Sequence, residues 1–363
     1  MNRLVRLATV LALTAGLVAV GAPVEAATPP GRAVVLVASE QYAVYAVKAS
    51  TKPLNPGNPN RGALYAVDAK GRRQALRTFK NSGRRVELMG SSLMQTRRVD
   101  PPGGISYQVV HFQDLRTGRS GEVPMTDGDS AMTAAPGGFV RAHRTGETTQ
   151  LGERQTLSLQ TYAGEQTPLG EPFPDGNGFS LVAGSGGLLA SSATSDETPN
   201  ADARIRYMDW RKPGVWRTLY DAHAERYVGC STPSRTYVVC SSMGLDSEVP
   251  QIGLFRLRDF TVTWLNAKHP KVCKRLDWAT AGSNLVAIET SDAGVCTKGK
   301  LIRMSPAGTL VGSTRRYSAL GGVTAGLGKI LVSRTDQRVL FSLTGVTRTP
   351  KVLVSRAVID RES

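Results

Sequence analysis

The chain has 363 residues, 45 of them Lys or Arg and 29 Asp or Glu, for a formal net charge of +16. Hydrophobic residues make up 40% and aromatics 6%. That is enough apolar material for a packed core, but too few rings for the aromatic stripe that specific nucleic-acid binders lay beside a basic face.

Residues 1–26 read as a cleaved secretory signal. Arg3 and Arg6 give a basic start, residues 7–20 are apolar and uncharged, and Val24-Glu25-Ala26 is a small-x-small cleavage site. The apolar run is short for a membrane span. No cysteine follows it for lipid attachment, and Arg3 and Arg6 are not adjacent. The mature protein is expected to be secreted and extracellular, without a membrane anchor, and to carry a charge of +15. Residues 27–32 read as a linker and 33–363 as one domain.

The apolar run 33–38 predicts a fully buried innermost strand, called A. Residues 42–47 predict strand B. The stretch 52–59 holds three prolines and reads as loop, because proline removes ladder donors. Residues 64–68 predict strand C and 74–79 strand D, joined by a glycine turn. The plan recurs. Strand C returns at 109–112, 157–162, 205–208, 254–257, 301–304 and 339–343, often alternating apolar with polar. Strand D returns at 215–219, 261–265 and 351–354.

A tight turn opening into an apolar strand recurs with it. Examples are Gly90-Ser91-Ser92-Leu93, Pro136-Gly137-Gly138-Phe139, Ser185-Gly186-Gly187-Leu188 and Ala281-Gly282-Ser283-Asn284-Leu285. The first apolar residues after these turns run Tyr42, Leu93, Phe139, Leu188, Tyr237, Leu285 and Ile330, with a mean spacing of 48. A period of that size in strands means a radial or stacked repeat. The prediction is an all-β, seven-bladed β-propeller of four-stranded antiparallel blades, a closure that leaves only short sheet edges. Six or eight blades follow if the first or last unit is misread, and 357–359 stay unassigned.

The hairpin Leu64-Tyr65-Ala66-Val67-Asp68-Ala69-Lys70-Gly71 and the turn Asp114-Leu115-Arg116-Thr117-Gly118 resemble the repeats of secreted quinoprotein-like (PQQ-type) β-propellers. The resemblance covers two C–D hairpins and implies the architecture. Phe79 and Val123 stand where such repeats close with tryptophan, and the chain has no vicinal cysteine pair. No cofactor is therefore expected.

Four cysteines in an exported protein suggest disulfides. Cys230 and Cys240 flank the turn of the fifth unit, and Cys273 and Cys296 bracket the strands of the sixth. The local pairing, Cys230–Cys240 and Cys273–Cys296, needs the least rearrangement. No C-x-x-C spacing or nearby histidine suggests a metal site.

In a propeller the D-to-A and B-to-C loops share one face. There Arg85, Asp129, Asp175, Asp221, His223, His269 and Arg316 are the candidate binding residues. Carboxylates from blades 3 to 5 and cations from blades 2, 6 and 7 would give a polarised mouth. No G-x-S-x-G elbow nominates a catalytic triad. The expectation is a monomeric, non-enzymatic binding module for a protein or an anionic cell-envelope polymer. The alternative is a propeller glycan hydrolase or lyase using Asp129, Asp175 and Asp221 as paired carboxylates.

Overall fold

A computed structural model describes residues 32–48, 63–77, 86–150, 152–176, 178–192, 203–222, 225–244, 251–264, 279–281, 284–289, 299–305, 309–313, 322–327, 329–334, 339–343 and 351–354. Sheet 1 is β1 (Arg32–Ala38), β2 (Tyr42–Lys48), β3 (Ala63–Asp68) and β4 (Arg73–Leu76). Sheet 2 is β5 (Val86–Met89), β6 (Ser92–Val99), β7 (Tyr107–Asp114) and β8 (Ser120–Pro124). Sheet 3 is β9 (Asp129–Ala135), β10 (Gly138–Thr149), β11 (Gly152–Thr161) and β12 (Gln166–Gly170). Sheet 4 is β13 (Phe179–Ala183), β14 (Gly187–Ser192), β15 (Ala203–Asp209) and β16 (Trp216–Ala222). Sheet 5 runs from β17 (Glu225–Cys230) through β18 (Tyr237–Gly244) and β19 (Gln251–Arg256) to β20 (Val262–Trp264). Sheet 6 spans β21 (Ala279–Ala281) to β24 (Leu310–Ser313), and sheet 7 spans β25 (Gly322–Gly326) to β28 (Lys351–Val354). Each sheet is an antiparallel meander of four consecutive strands.

The second strand of each well-described sheet carries the core. In β2, Ala43 to Val47 are all buried. Val44 and Ala46 pack toward sheet 2, and Ala43, Tyr45 and Val47 pack toward sheet 7. Period-2 alternation thus serves two apolar faces at once, which is why the run is unbroken. The same division holds in β14, where Leu188 and Ala190 face sheet 3 and Leu189 faces sheet 5. Burying side chains of this size contributes roughly 1.5–3 kcal/mol each. The first strand is less enclosed than its sequence predicts, since Leu36 and Val37 are only half-buried beside a register shift between Val35 and Val37.

The molecule is an all-β propeller of antiparallel sheets. Among the described residues, apolar clusters join sheet 7 to 1, 1 to 2, 2 to 3, 3 to 4 and 4 to 5. Packed cores are therefore described at five interfaces, fewer than the seven that a seven-bladed ring calls for.

The recurring turns touch from sheet to sheet. Ser39 Oγ donates to Gly90 O at 2.6 Å, and Gly137 N–H donates to Ser92 Oγ at 3.0 Å. Leu327 N–H donates to Ser39 O at 2.6 Å. A Cβ on Gly184 or Gly186 would collide with the backbone of Pro233 or Ser234. At Gly184 and Gly186 the neighbouring turn occupies the side-chain space, whereas Gly90 and Gly137 are suited by their left-handed backbone.

Asp68 and Asp114, which carry the quinoprotein-like resemblance, cap their C–D turns. Asp68 Oδ1 accepts from the N–H groups of Lys70 and Arg72, both at 2.9 Å, and Asp114 Oδ1 accepts from Arg116 N–H at 2.9 Å. Gly71 and Gly118 take the left-handed conformation that completes each turn.

Candidate functional site

On the D–A and B–C face, three predicted residues are described with their surroundings. Asp129 opens β9, and its side chain is 2% exposed. It accepts hydrogen bonds from Arg141, from Thr126 Oγ1 and, at 2.8 Å, from His143 Nδ1. Burial pushes its carboxyl upward, but the bonds from Arg141, Thr126 and His143 outweigh that and hold it at about 2. Asp175 pairs with Arg204, whose guanidinium lies 5.3 Å over the Phe173 ring. Asp221 is exposed and stands opposite Arg204 in the β15–β16 register. Arg85, His223, His269 and Arg316 lie outside the described residues, as do Cys273 and Cys296.

The sequence reading missed the partners. Arg141 and His143 come from the second strand of sheet 3, where a register shift between Val140 and Arg141 brings His143 opposite Asp129. The β10–β11 hairpin extends to the pair Thr149–Gly152 and leans on the following D–A loop, where Thr149 Oγ1 bonds to Asp175 O. Arg154 on that hairpin grips Glu171, with Nη2 2.8 Å from Oε2, and also pairs with Glu147. Around sheets 3 and 4 several carboxylates of this face are thus held by arginines, Asp129 by Arg141, Asp175 by Arg204 and Glu171 by Arg154, while Asp221 is exposed.

The opposite face holds a concavity. A cavity of about 610 Å³ opens between the turns of sheets 4 and 5. Its cations are Arg211, Lys212, Arg217, Arg235 and Arg258. Asp209 also lines it, and Arg211 Nη2 lies 2.6 Å from Asp209 Oδ2. Arg235 reaches Glu40 of sheet 1 at 3.5 Å. The Arg217 guanidinium sits 5.7 Å over the Phe260 ring. Phe260 itself has φ 58°, a left-handed backbone uncommon for an aromatic residue. Tyr207 OH donates to Gly186 O at 2.6 Å, and Trp210 Nε1 donates to Gly184 O at 2.9 Å. Burial, then the Asp209 charge, pushes the Tyr207 hydroxyl up to about 12, so it stays a donor.

The fold and its two faces define a β-propeller with a paired-charge mouth and a basic inter-sheet cleft. No family model matches the chain, and no curated protein matches it. Solved structures do. The β-propeller domain of the trilobed protease from Pyrococcus furiosus, described as having an open velcro topology, matches with TM-score 0.56 at 11% identity, over 90% of this chain and 98% of that one. Acylaminoacyl peptidase from Pyrococcus horikoshii matches with TM-score 0.54 at 12% identity, over 91% of this chain and 53% of that one. Prolyl oligopeptidase B from Galerina marginata gives 0.55 at 12%, over 91% and 51%. The chain spans about half the length of these last two. Such likenesses establish the fold. They also correct both functional expectations drawn from the sequence, the non-enzymatic binding module and the glycan hydrolase or lyase, because these three structures are propellers of peptidases.

Proposed function

We propose a peptidase-related role, in which this propeller receives peptide chains on behalf of a hydrolytic unit. The carrying observation is the match of nine-tenths of the chain to propellers of peptidases. The absence of a G-x-S-x-G elbow from the sequence fits hydrolysis by groups elsewhere. The test is saturable binding of fluorescent oligopeptides to the purified chain, set against polysaccharides of similar size. Peptide binding without polysaccharide binding is expected; the reverse overturns the role.

A second reading rests on the Asp129–His143 pair. An Asp accepting from Nδ1–H leaves Nε2 as a base, and the His143 side chain is 60% exposed. Here the chain itself would move protons during cleavage. His143→Gln would then abolish turnover of fluorogenic peptides, and retained turnover excludes this reading.

The same proposal includes a closed ring of seven blades, supported by the contact of Leu327 and Leu331 with sheet 1. It includes secretion after removal of residues 1–26, a monomer, and the Cys273–Cys296 bridge. The quinoprotein-like likeness is read as shared turn chemistry.

A further inference from the structure

We propose that the cleft between sheets 4 and 5 docks an acidic peptide segment. The choice of a peptide rests on the peptidase-related reading; the preference for acid rests on the cleft. Among the described residues no carboxylate pairs with Lys212, Arg217 or Arg258, although all three line one cavity. Among the described residues Asp209 is the only carboxylate in the lining, and Arg211 holds it through both Nε and Nη2. A surplus of cations around a concavity attracts carboxylates, and the guanidinium fork matches a carboxylate with two parallel bonds.

The remaining surface is apolar or already engaged. Leu257 is buried beneath the cleft, Val215 is 49% exposed at its rim, and Phe260 presents a ring. The Tyr207 and Trp210 donors are spent on turn carbonyls. Sugars and base edges need matched donors and acceptors, whereas a segment mixing Glu or Asp with apolar side chains needs only cations and apolar contact. The volume is in the range of ligand pockets, roughly 300–1,000 Å³.

The probe is a fluorescein-labelled peptide alternating Glu with Leu and Phe, titrated with the full chain by anisotropy near 0.15 M salt, where the Debye length is about 8 Å. A Lys-for-Glu peptide and an oligothymidylate of equal length are the comparison probes. Lys212→Glu/Arg258→Glu is expected to raise Kd at least tenfold, and the milder Lys212→Gln/Arg258→Gln at least threefold. Arg116→Glu/Arg119→Glu, an equal charge change on the exposed turn of sheet 2, should raise it less than twofold. Melting curves establish that each variant folds, and the Gln pair keeps the test decisive should the Glu pair not fold. Equal weakening by the cleft and control variants overturns the site, since the binding is then diffuse charge. Tighter binding of the oligothymidylate, lost in the same variants, overturns the peptide assignment. Binding of the basic peptide as tight as the acidic one removes the acid preference while leaving the peptidase-related role intact. If neither peptide binds, that role fails as well.

Discussion

Asp129 shows how one side chain can be both nominated and misread. Its place in a D–A connection is legible in the sequence, because turn residues precede an apolar strand there. Its partners are not, because Arg141 and His143 reach it only through a one-residue slip in the β9–β10 register, and a slip reverses which face each residue serves. Its carboxyl is held at about 2, below its ordinary 3.8, so its contribution is complete above about 3.8 and is lost as pH falls through about 2. Asp129→Asn should cost on the order of 1–3 kcal/mol near pH 7 by leaving Arg141 short of a partner. Urea titrations of both proteins from pH 7 to pH 2.5 check this. The gap between them should hold down to about pH 4 and then narrow; a gap that widens in acid contradicts the assignment.

Among elements, the turn between the first two strands is where sequence and structure agree most closely. Its glycines are legible for two reasons, close approach of the adjoining turn at Gly184 and Gly186 and a left-handed backbone at Gly90 and Gly137. Gly184→Ala puts a methyl against the Pro233 carbonyl. It should cost about 1–3 kcal/mol, the range for overpacking. Gly118→Ala meets open space and suffers only its positive φ, so the cost should be about 1 kcal/mol. Denaturant midpoints of the two variants decide the order. The long β10–β11 hairpin was not legible, because residues 143–156 are almost all polar and are held together by side-chain pairs such as Arg154 with Glu147 and Arg144 with Glu153. Across the turn of sheet 5, Cys230 stands opposite Cys240 in register, with Cα atoms 4.0 Å apart and the sulfurs placed as a disulfide. A loop of that length should contribute about 2–3 kcal/mol. Cys230→Ala/Cys240→Ala should lose this without altering the far-ultraviolet spectrum. Peptide mapping without reduction must show the two linked; a fragment joining Cys240 to Cys273 refutes the pairing.

At the scale of the whole molecule, the period of 48 residues was enough to read a propeller, since each unit supplies one sheet and cannot bury both faces alone. What the period could not give is which cleft is open, because that depends on side chains from two units meeting across an interface. Deleting sheet 4, residues 179–222, would expose Leu188 and Ala190 on one side and Leu189 on the other. Such a variant should aggregate or melt without a cooperative transition. Adding residues within 53–59, whose prolines predict a loop, should leave the melting temperature almost unchanged, because loop entropy grows only logarithmically. A monomeric deletion variant with a sharp calorimetric peak would contradict the first expectation.

Among the described residues every sheet is made of four consecutive strands, and none of those strands is shared where sheet 7 meets sheet 1. The described contact there includes Leu327 and Leu331 packed on the apolar face of sheet 1, Gly326 against Ala38, and the hydrogen bond from Leu327 N–H to Ser39 O. Under tension, the described part of that seam bears load mainly through packed side chains rather than through a ladder. Mechanical rupture should begin there, at low force, before any single sheet unravels.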